Sequence, residues 1–398
     1  MEPEVTAVVL ASEPGSLVRL CGVSMLDRHL RVLQRLGFST AIIWNATPEV
    51  KAELETVSSA RDKIRIEFIS DLAQRPGPFL IISGSIYCES RVLAALLKCS
   101  VATVTIDTNP PKERLSLLNG TQRFQGELAC GARWADSFSI DANNSSVLDV
   151  ARLPAYIGSI RRTIHPLWFP APSPENLPLA ENLILNAATK GTPDFPAILH
   201  APIETWATRH ICPTRITPNQ VTFFTGILGI LITIQFVRGH WWSGLLMAVA
   251  FGILDGVDGK LARVKVETTE LGKLEHYLDH AFEYSWWLAI AWALGASGQL
   301  QHAWLFGVLV IAGDLLGKIV TRPVMAHTGK PSHDFSRFEQ RLRLIGGRRN
   351  IYIVMLLIGL LAGKLPLAFA AIGCWSMVTA VIQTVRSIYI CCFTPRLV

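Results

Sequence analysis

The sequence predicts a soluble α/β domain followed by an all-α transmembrane domain of six helices, and three observations predict it. Before about Pro202, short Val/Ile/Leu runs alternate with amphipathic, charged stretches; after Asn219 the chain becomes long apolar blocks joined by short polar loops. Half of the 398 residues are hydrophobic, too many for an ordinary soluble enzyme throughout. Lys and Arg gather in alternate loops of the apolar half, as they do in membrane proteins. The expected units are residues 1–190, an α/β domain; 191–218, a linker with an interfacial helix; and 219–398, the membrane domain.

In the front domain VTAVVLAS, from Val5, reads as a buried strand, SMLDRHLRVLQRLG, from Ser24, as a helix, and STAIIWN, from Ser39, as a second strand. FLIISGS and CESRVLAALLK, from Phe79 and Cys88, supply another strand and helix. This βαβ alternation gives a parallel sheet covered by helices. The N-terminus MEPEVTAVVLASEPGS has no basic stretch ahead of a long apolar core, which argues against a cleaved signal peptide and for a cytoplasmic front domain. The eight cysteines form no CxxC pair and no metal-ligand spacing with His. HAPIETWATRHICPTRITPN, from His200, reads as an amphipathic helix in the membrane interface. Its apolar side carries Ile203, Trp206 and Ile211, and Pro213 and Pro218 stop it.

A spanning helix needs about 20 mostly apolar residues. The candidates are Val221 to Val237, Trp241 to Leu254, Ala281 to Ala296, Ala303 to Val320, Ile351 to Gly363 and Leu365 to Arg386. The second and third are short and are expected to continue as polar helix. Lys260, Arg263, Lys265 and Lys273 lie in one loop, and Arg322, Lys330, Arg337, Arg341, Arg343, Arg348 and Arg349 in another; the opposite loops offer only Arg238 and Lys364. The asymmetry places the basic loops, the front domain and the C-terminus in the cytoplasm, as in a multi-pass protein of the inner membrane. The net charge of +6 therefore points to anionic headgroups and phosphate substrates, with no nucleic-acid partner.

Between the second and third spans lies LDGVDGKLARVKVETTELGKLEHYLDH, from Leu254 to His280. Carboxylates near hydrocarbon are costly unless paired, hydrated or bound to cations. Asp255 and Asp258 are three apart, and Glu275 and Asp279 four apart, so each pair shares a helix face. Together they form a cage of hard oxygen ligands suited to Mg²⁺ or Mn²⁺. Gly259 and Ala262 leave room for a bulky ligand, and Arg263 can grip a phosphate in bidentate fashion. These parts fit metal-assisted phosphoryl-type transfer.

The stretch resembles the CDP-alcohol phosphotransferase family, whose pattern is DxxDG, two residues, AR, eight residues, G, three residues, D, three residues, D. Asp255, Asp258, Gly259, Ala262, Arg263 and Gly272 fall on it. Strict counting puts the last two positions on His276 and His280, whereas Glu275 and Asp279 keep the four-residue spacing one position early. Either the intervening segment is one residue shorter or imidazoles replace carboxylates. The preference of a hard cation for oxygen favours Glu275 and Asp279. TPNQVT, from Thr217, resembles the family's lead into its first span, bringing Asn219 and Thr222 to the nucleotide. KGTPDFP, from Lys190, resembles the lead-in of members that use inositol phosphates.

The resemblance implies a six-helix homodimer whose site opens to the cytoplasm. It also implies two divalent cations on the CDP pyrophosphate, Arg263 beside it, and cytidine over Gly259 and Ala262. Asp279 would take the proton of the attacking hydroxyl as CMP leaves. RLRLIGGRRN, from Arg341, with Arg343, Arg348 and Arg349, fits an acceptor phosphate or a lipid headgroup, and fits positive-inside anchoring equally well. Asp314 and Lys318 either pair with each other or line the acceptor pocket, and Glu283 continues the face of Asp279.

The front domain resembles the sugar-phosphate nucleotidyltransferase fold, which is fused to a phosphotransferase in inositol-phosphate cytidylyltransferase and di-inositol-phosphate phosphate synthases. Its chemistry reads as degenerate: LASEPGSLVRL keeps only Gly15 and Arg19 of a basic Gly-rich loop, and ISGSIYC has Ser83 to Ser85 where a metal-binding acid is expected. The leading expectation is a membrane transferase moving a phospho-alcohol from a CDP-alcohol to a hydroxyl acceptor, either a polar alcohol phosphate or a lipid. The alternatives are a bifunctional enzyme that also makes the CDP-alcohol from CTP, and a cation-coupled transporter. A transporter of that kind tends to have two related halves, and no second DxxDG is present.

Overall fold

The computed structural model describes residues 5–55, 62–72, 75, 77–118, 131–134, 146–191, 193–267, 270–394 and 396, the side chains of 131–134 and 270–276 excepted. The front half opens with β1 (Thr6–Leu10), a short hairpin β2 (Arg19–Leu20) and β3 (Val23–Ser24), and α1 (Met25–Arg35). Next come β4 (Thr40–Trp44), α2 (Pro48–Glu55), β5 (Arg65–Ile69), β6 (Phe79–Ser83), β7 (Ile86–Cys88), α3 (Ser90–Leu97) and β8 (Thr103–Ile106). It closes with β9 (Gly131–Trp134), β10 (Ser146–Asp149), the hairpin β11 (Tyr156–Ile157) and β12 (Arg162–Thr163), β13 (Trp168–Pro170) and α4 (Leu177–Ala187). Seven strands form one sheet in the order β10-β8-β9-β6-β1-β4-β5. The pairs are parallel except at β9, which runs antiparallel to both its neighbours. The continuous apolar runs of β1, β4 and β6 are explained by this position, because the centre of a parallel sheet is covered on both faces. Ser24 caps α1 by accepting from the Asp27 N–H.

The helical half begins with α5 (Phe195–Ile211), capped by the Asp194 carboxylate, which accepts from the Ala197 N–H. Phe195, Ile198, Leu199, Ile203 and Trp206 are exposed along it at helical spacing, as befits a helix lying in a lipid interface. Six long segments follow: α6 (Pro218–Val237), α7 (Trp241–Lys265), α8 (Glu270–Ala296), α9 (Ala303–Thr328), α10 (Arg337–Ile345) with α11 (Arg349–Leu361), and α12 (Leu365–Phe393). Among the described residues α6, α9 and α12 are long and apolar enough to cross a membrane, and α10 with α11, bent by 42°, would make a fourth. α7 and α8 each join an apolar half, packed in the helical bundle, to a charged half, so the acidic stretch continues two helices of that bundle. The bundle core is aromatic: Phe251 meets Trp286 edge-on at 4.9 Å and Trp287 meets Tyr352 at 5.5 Å. Small residues bring α9 and α12 together, since a Cβ on Gly313 would lie 2.3 Å from Ser376 Oγ.

The end of α7 is the joint between the halves. A helix leaves its last four carbonyls without helical partners, and here each is met. Glu267 N–H donates to Ala262 O (2.9 Å) and Val266 N–H to Arg263 O (3.4 Å). Arg28 donates to Val264 O, and Arg31 to Lys265 O (2.9 Å). The chain leaves the helix through Val266 in the left-handed region, φ 55°, a place that usually holds Gly. The conformation is strained for a β-branched residue. Burial among the front-domain core residues offsets the strain. Val257, Leu261 and Val264 likewise share one apolar cluster with Leu20, Met25 and Phe169.

Candidate functional site

A cleft of about 880 Å³ opens where the front half, α5 and the membrane helices meet. Its walls include Asp255, Asp258, Gly259, Ala262 and Arg263 from α7, Asn219 and Thr222 from α6, and Asp279, His280 and Glu283 from α8. They also include Lys318 from α9 and Arg343, Arg348 and Arg349 from the bent α10–α11 segment. Every sequence-predicted site residue whose side chain is described therefore borders one space. Glu275 and His276 lie on α8, with side chains outside the described residues.

The acids are held by specific partners. Asp258 is buried, 2% exposed, and accepts from the Thr222 hydroxyl at 3.1 Å. Asp255 accepts from Arg349 at 2.7 Å, and that guanidinium also stacks 4.9 Å over the Phe251 ring. Arg349, expected at an acceptor phosphate, is thus paired with the acidic centre in this structure. Asp279 is an electrostatic neighbour of both Asp255 and Arg349. His280, next along α8, stacks on the Tyr284 ring. Arg263 donates through Nε to Ala188 O at 2.7 Å, and its guanidinium lies over Gly259, where an added Cβ would stand 3.4 Å from Nη1. Lys318 forms an ion pair with Asp314 and also borders the cleft.

Three further cleft residues, Lys190, Glu204 and Arg161, were not named as site residues from the sequence. Lys190 enters from the loop after α4; burial, and then Arg263 beside it, hold its ammonium below the usual lysine range. Glu204 presses against Gly256, whose missing side chain makes the room, and burial pushes its carboxyl up. Arg161 comes from the front half, at the turn of β11–β12. KGTPDFP was legible as a lead-in and does supply Lys190 and Asp194; nothing local marked Arg161 or Glu204.

Among the described residues, no three His, Cys, Asp or Glu side chains converge as a ready metal site. The chemistry of the donors nevertheless suits a hard cation, because Asp255, Asp258 and Asp279 present carboxylate oxygens to one cleft. Arg349 on Asp255 stands where a cation's charge would otherwise be needed. In the front half, the loop after β1 is packed shut: a Cβ on Gly15 would lie 2.9 Å from the Cβ atoms of both Ser85 and Ala171. Arg19 is paired with Glu53 at 2.7 Å, and Ser85 donates to Glu13.

Residues 215–386 match the sequence model of the CDP-alcohol phosphatidyltransferase family. The C-terminal half of this integral membrane protein thus carries a CDP-alcohol phosphatidyltransferase domain, behind an α/β domain. Over 209 residues the chain is 25% identical to the bifunctional IPC transferase and DIPP synthase of Aquifex aeolicus, covering 52% of this chain and 47% of that protein. It is 29% identical over 199 residues to the protein of the same name from Thermococcus kodakarensis, covering 48% and 43%. The chain spans about half the length of the curated relatives it matches. A crystal structure of Mycobacterium tuberculosis phosphatidylinositol phosphate synthase with CDP-DAG bound shares 16% identity, over 48% of this chain and 94% of that one, with a TM-score of 0.36.

Proposed function

We propose that the protein transfers a phospho-alcohol group from a CDP-alcohol to a hydroxyl acceptor and releases CMP. The observation that carries this reading is the cleft that gathers Asp255, Asp258 and Asp279 with Arg263 over Gly259. Arg263 holds the pyrophosphate, while Gly259 and Ala262 leave a wall low enough for the cytidine, with Asn219 and Thr222 at its edge. Asp279 takes the proton of the acceptor hydroxyl. The hydroxyl oxygen bonds to the phosphorus that bears the donor alcohol, and the bond from that phosphorus to the bridging oxygen breaks as CMP leaves. Asp255, Asp258, Glu275 and Asp279 would hold Mg²⁺ or Mn²⁺, two cations by family resemblance; when bound they would neutralise charge on the pyrophosphate. Arg343, Arg348 and Lys318, with Arg349 when released from Asp255, would receive a phosphate carried by the acceptor.

The packed loop around Gly15 and the engaged Arg19 favour a front domain without CTP chemistry, and so favour the single transferase over the bifunctional enzyme. The active site faces the cytoplasm of an inner-membrane homodimer in this reading. In support of the orientation, the basic end of α7 and the loop after α9 both meet the front half, the latter through Tyr156 and Asp334. The test is CMP release by purified protein in lipid, offered a panel of CDP-alcohols and acceptors. Release that requires both substrates and stops in excess chelator is expected; full activity in chelator would sink the metal assignment.

A further inference from the structure

The turn between β11 and β12 belongs to the front half, yet it borders the cleft of the membrane domain. Its position is set from two sides. The Tyr156 hydroxyl donates to Asp334 at 2.5 Å, and the Lys330 ammonium lies 5.6 Å from the Tyr156 ring centre, tying the hairpin to the loop after α9. On the other side Gly191 N–H donates to Ile160 O at 2.7 Å, and the backbones are so close that a Cβ on Gly191 would stand 2.3 Å from Arg161 O. Arg161 itself has φ 54°, a conformation uncommon for a residue with a side chain, and it spends one donor on Gly191 O at 3.4 Å.

Arg161 thereby borders the cleft with Arg343 and Arg348, and the three guanidiniums act on one another electrostatically. The neighbouring His333 reports the potential there. Burial first, and then Arg343, Arg348 and Arg161, hold its imidazole uncharged, with its pKa pushed down to about 2. Asp194 and Asp334 offset part of this charge at Arg161 and Arg343, and Asp194 at Arg348 too; Asp334 also takes the Tyr156 hydroxyl, and Asp194 caps α5 and accepts from Asn350. Three guanidiniums drawn together and partly dehydrated favour a further anion beside these carboxylates, and a phosphate matches their forked donors.

We infer that Arg161 is a specificity residue of the acceptor site: with Arg343 and Arg348 it holds a phosphomonoester on the alcohol that receives the transferred group. Acceptor choice is then made jointly by the front half and the membrane domain. The inference rests on the acceptor reading proposed above. The anion could arrive on a soluble alcohol or on a lipid headgroup, and the chemistry of recognition is shared.

Calorimetric titration of the full chain in zwitterionic nanodiscs, with inositol phosphate, free inositol and CMP plus Mg²⁺ as probes, tests it. R161Q is expected to weaken inositol phosphate binding about tenfold or more, the worth of one charged hydrogen bond. CMP affinity should stay within about twofold, and R161K should recover part of the loss. Adding phosphatidic acid to the discs separates the sources. Competition against inositol phosphate that R161Q abolishes assigns the anion to a lipid; no competition assigns it to the soluble acceptor, and either supports Arg161. Undiminished inositol phosphate binding by R161Q would overturn the role of Arg161 and leave the acceptor reading standing. Wild-type protein that binds CMP but not inositol phosphate would overturn both.

Discussion

Asp279 and His280 are sequence neighbours that both border the cleft, so chemistry decides which of them serves the acceptor hydroxyl. Asp279 belongs to the electrostatic group of Asp255 and Arg349, whereas His280 stacks on Tyr284. Removal of a general base typically costs about 10² to 10⁴ in rate. Asp279→Asn is therefore expected to lower CMP release by that factor, while His280→Gln retains substantial activity. Rates at saturating Mg²⁺, with membrane insertion checked separately, measure it, and the opposite order would restore the strict family spacing. His29, in the front half, gives a pH prediction. It is fully buried against Ile86 O at 2.9 Å, and burial pushes its pKa down to about 4. The unfolded chain takes up the proton near pH 6.5, before the folded one does, so His29 costs nothing above that pH and destabilises the fold as the pH falls from about 6.5 to 4. The difference amounts to about 3 kcal/mol. The acid limb of a plot of melting temperature against pH should be shallower in His29→Gln than in the parent.

α7 is the element on which the site depends, and its sequence hides how it is held. The apolar start and acidic end show that it passes from membrane to cleft, but the clamp on its last turn comes from α1. Arg28, 3% exposed, donates to both Leu20 O and Val264 O. Each bond from a charged donor is worth about 1.5–3 kcal/mol, and an orphaned buried carbonyl adds to the loss. Arg28→Ala is expected to destabilise the junction by about 3 kcal/mol or more. Hydrogen exchange should find the amides of the last turn of α7 less protected while those of the central sheet change little. Equal loss across both halves would mean that the effect is global and that no local clamp exists.

At the scale of the molecule, the front domain shares an apolar core with the membrane domain and lends walls to its cleft. On the reading proposed above, this front domain, with Gly15 packed against Ser85 and Ala171, acts as a scaffold. The full chain, given CTP, Mg²⁺ and inositol phosphate, is expected to release no pyrophosphate, and robust turnover would reverse this and make the protein bifunctional. The α/β pattern, the apolar blocks and the DxxDG motif were all legible in the sequence, because periodicity, hydropathy and i, i+3 spacing are properties of short stretches of chain. The same locality explains why the acids and Arg263 could be named before any contact was known. The antiparallel insertion of β9 between β6 and β8 was not legible, since filling that gap depends on how distant segments pack. Nor was the pairing of Arg349 with Asp255, 94 positions apart, or of Arg31 with Lys265, 234 positions apart. Sequence by itself determined the two kinds of domain and the chemistry of the motif. Only the tertiary structure decided that Arg161, Lys190 and Glu204 share the motif's cleft, because a contact between distant segments follows from how whole elements pack and leaves no local pattern in the chain.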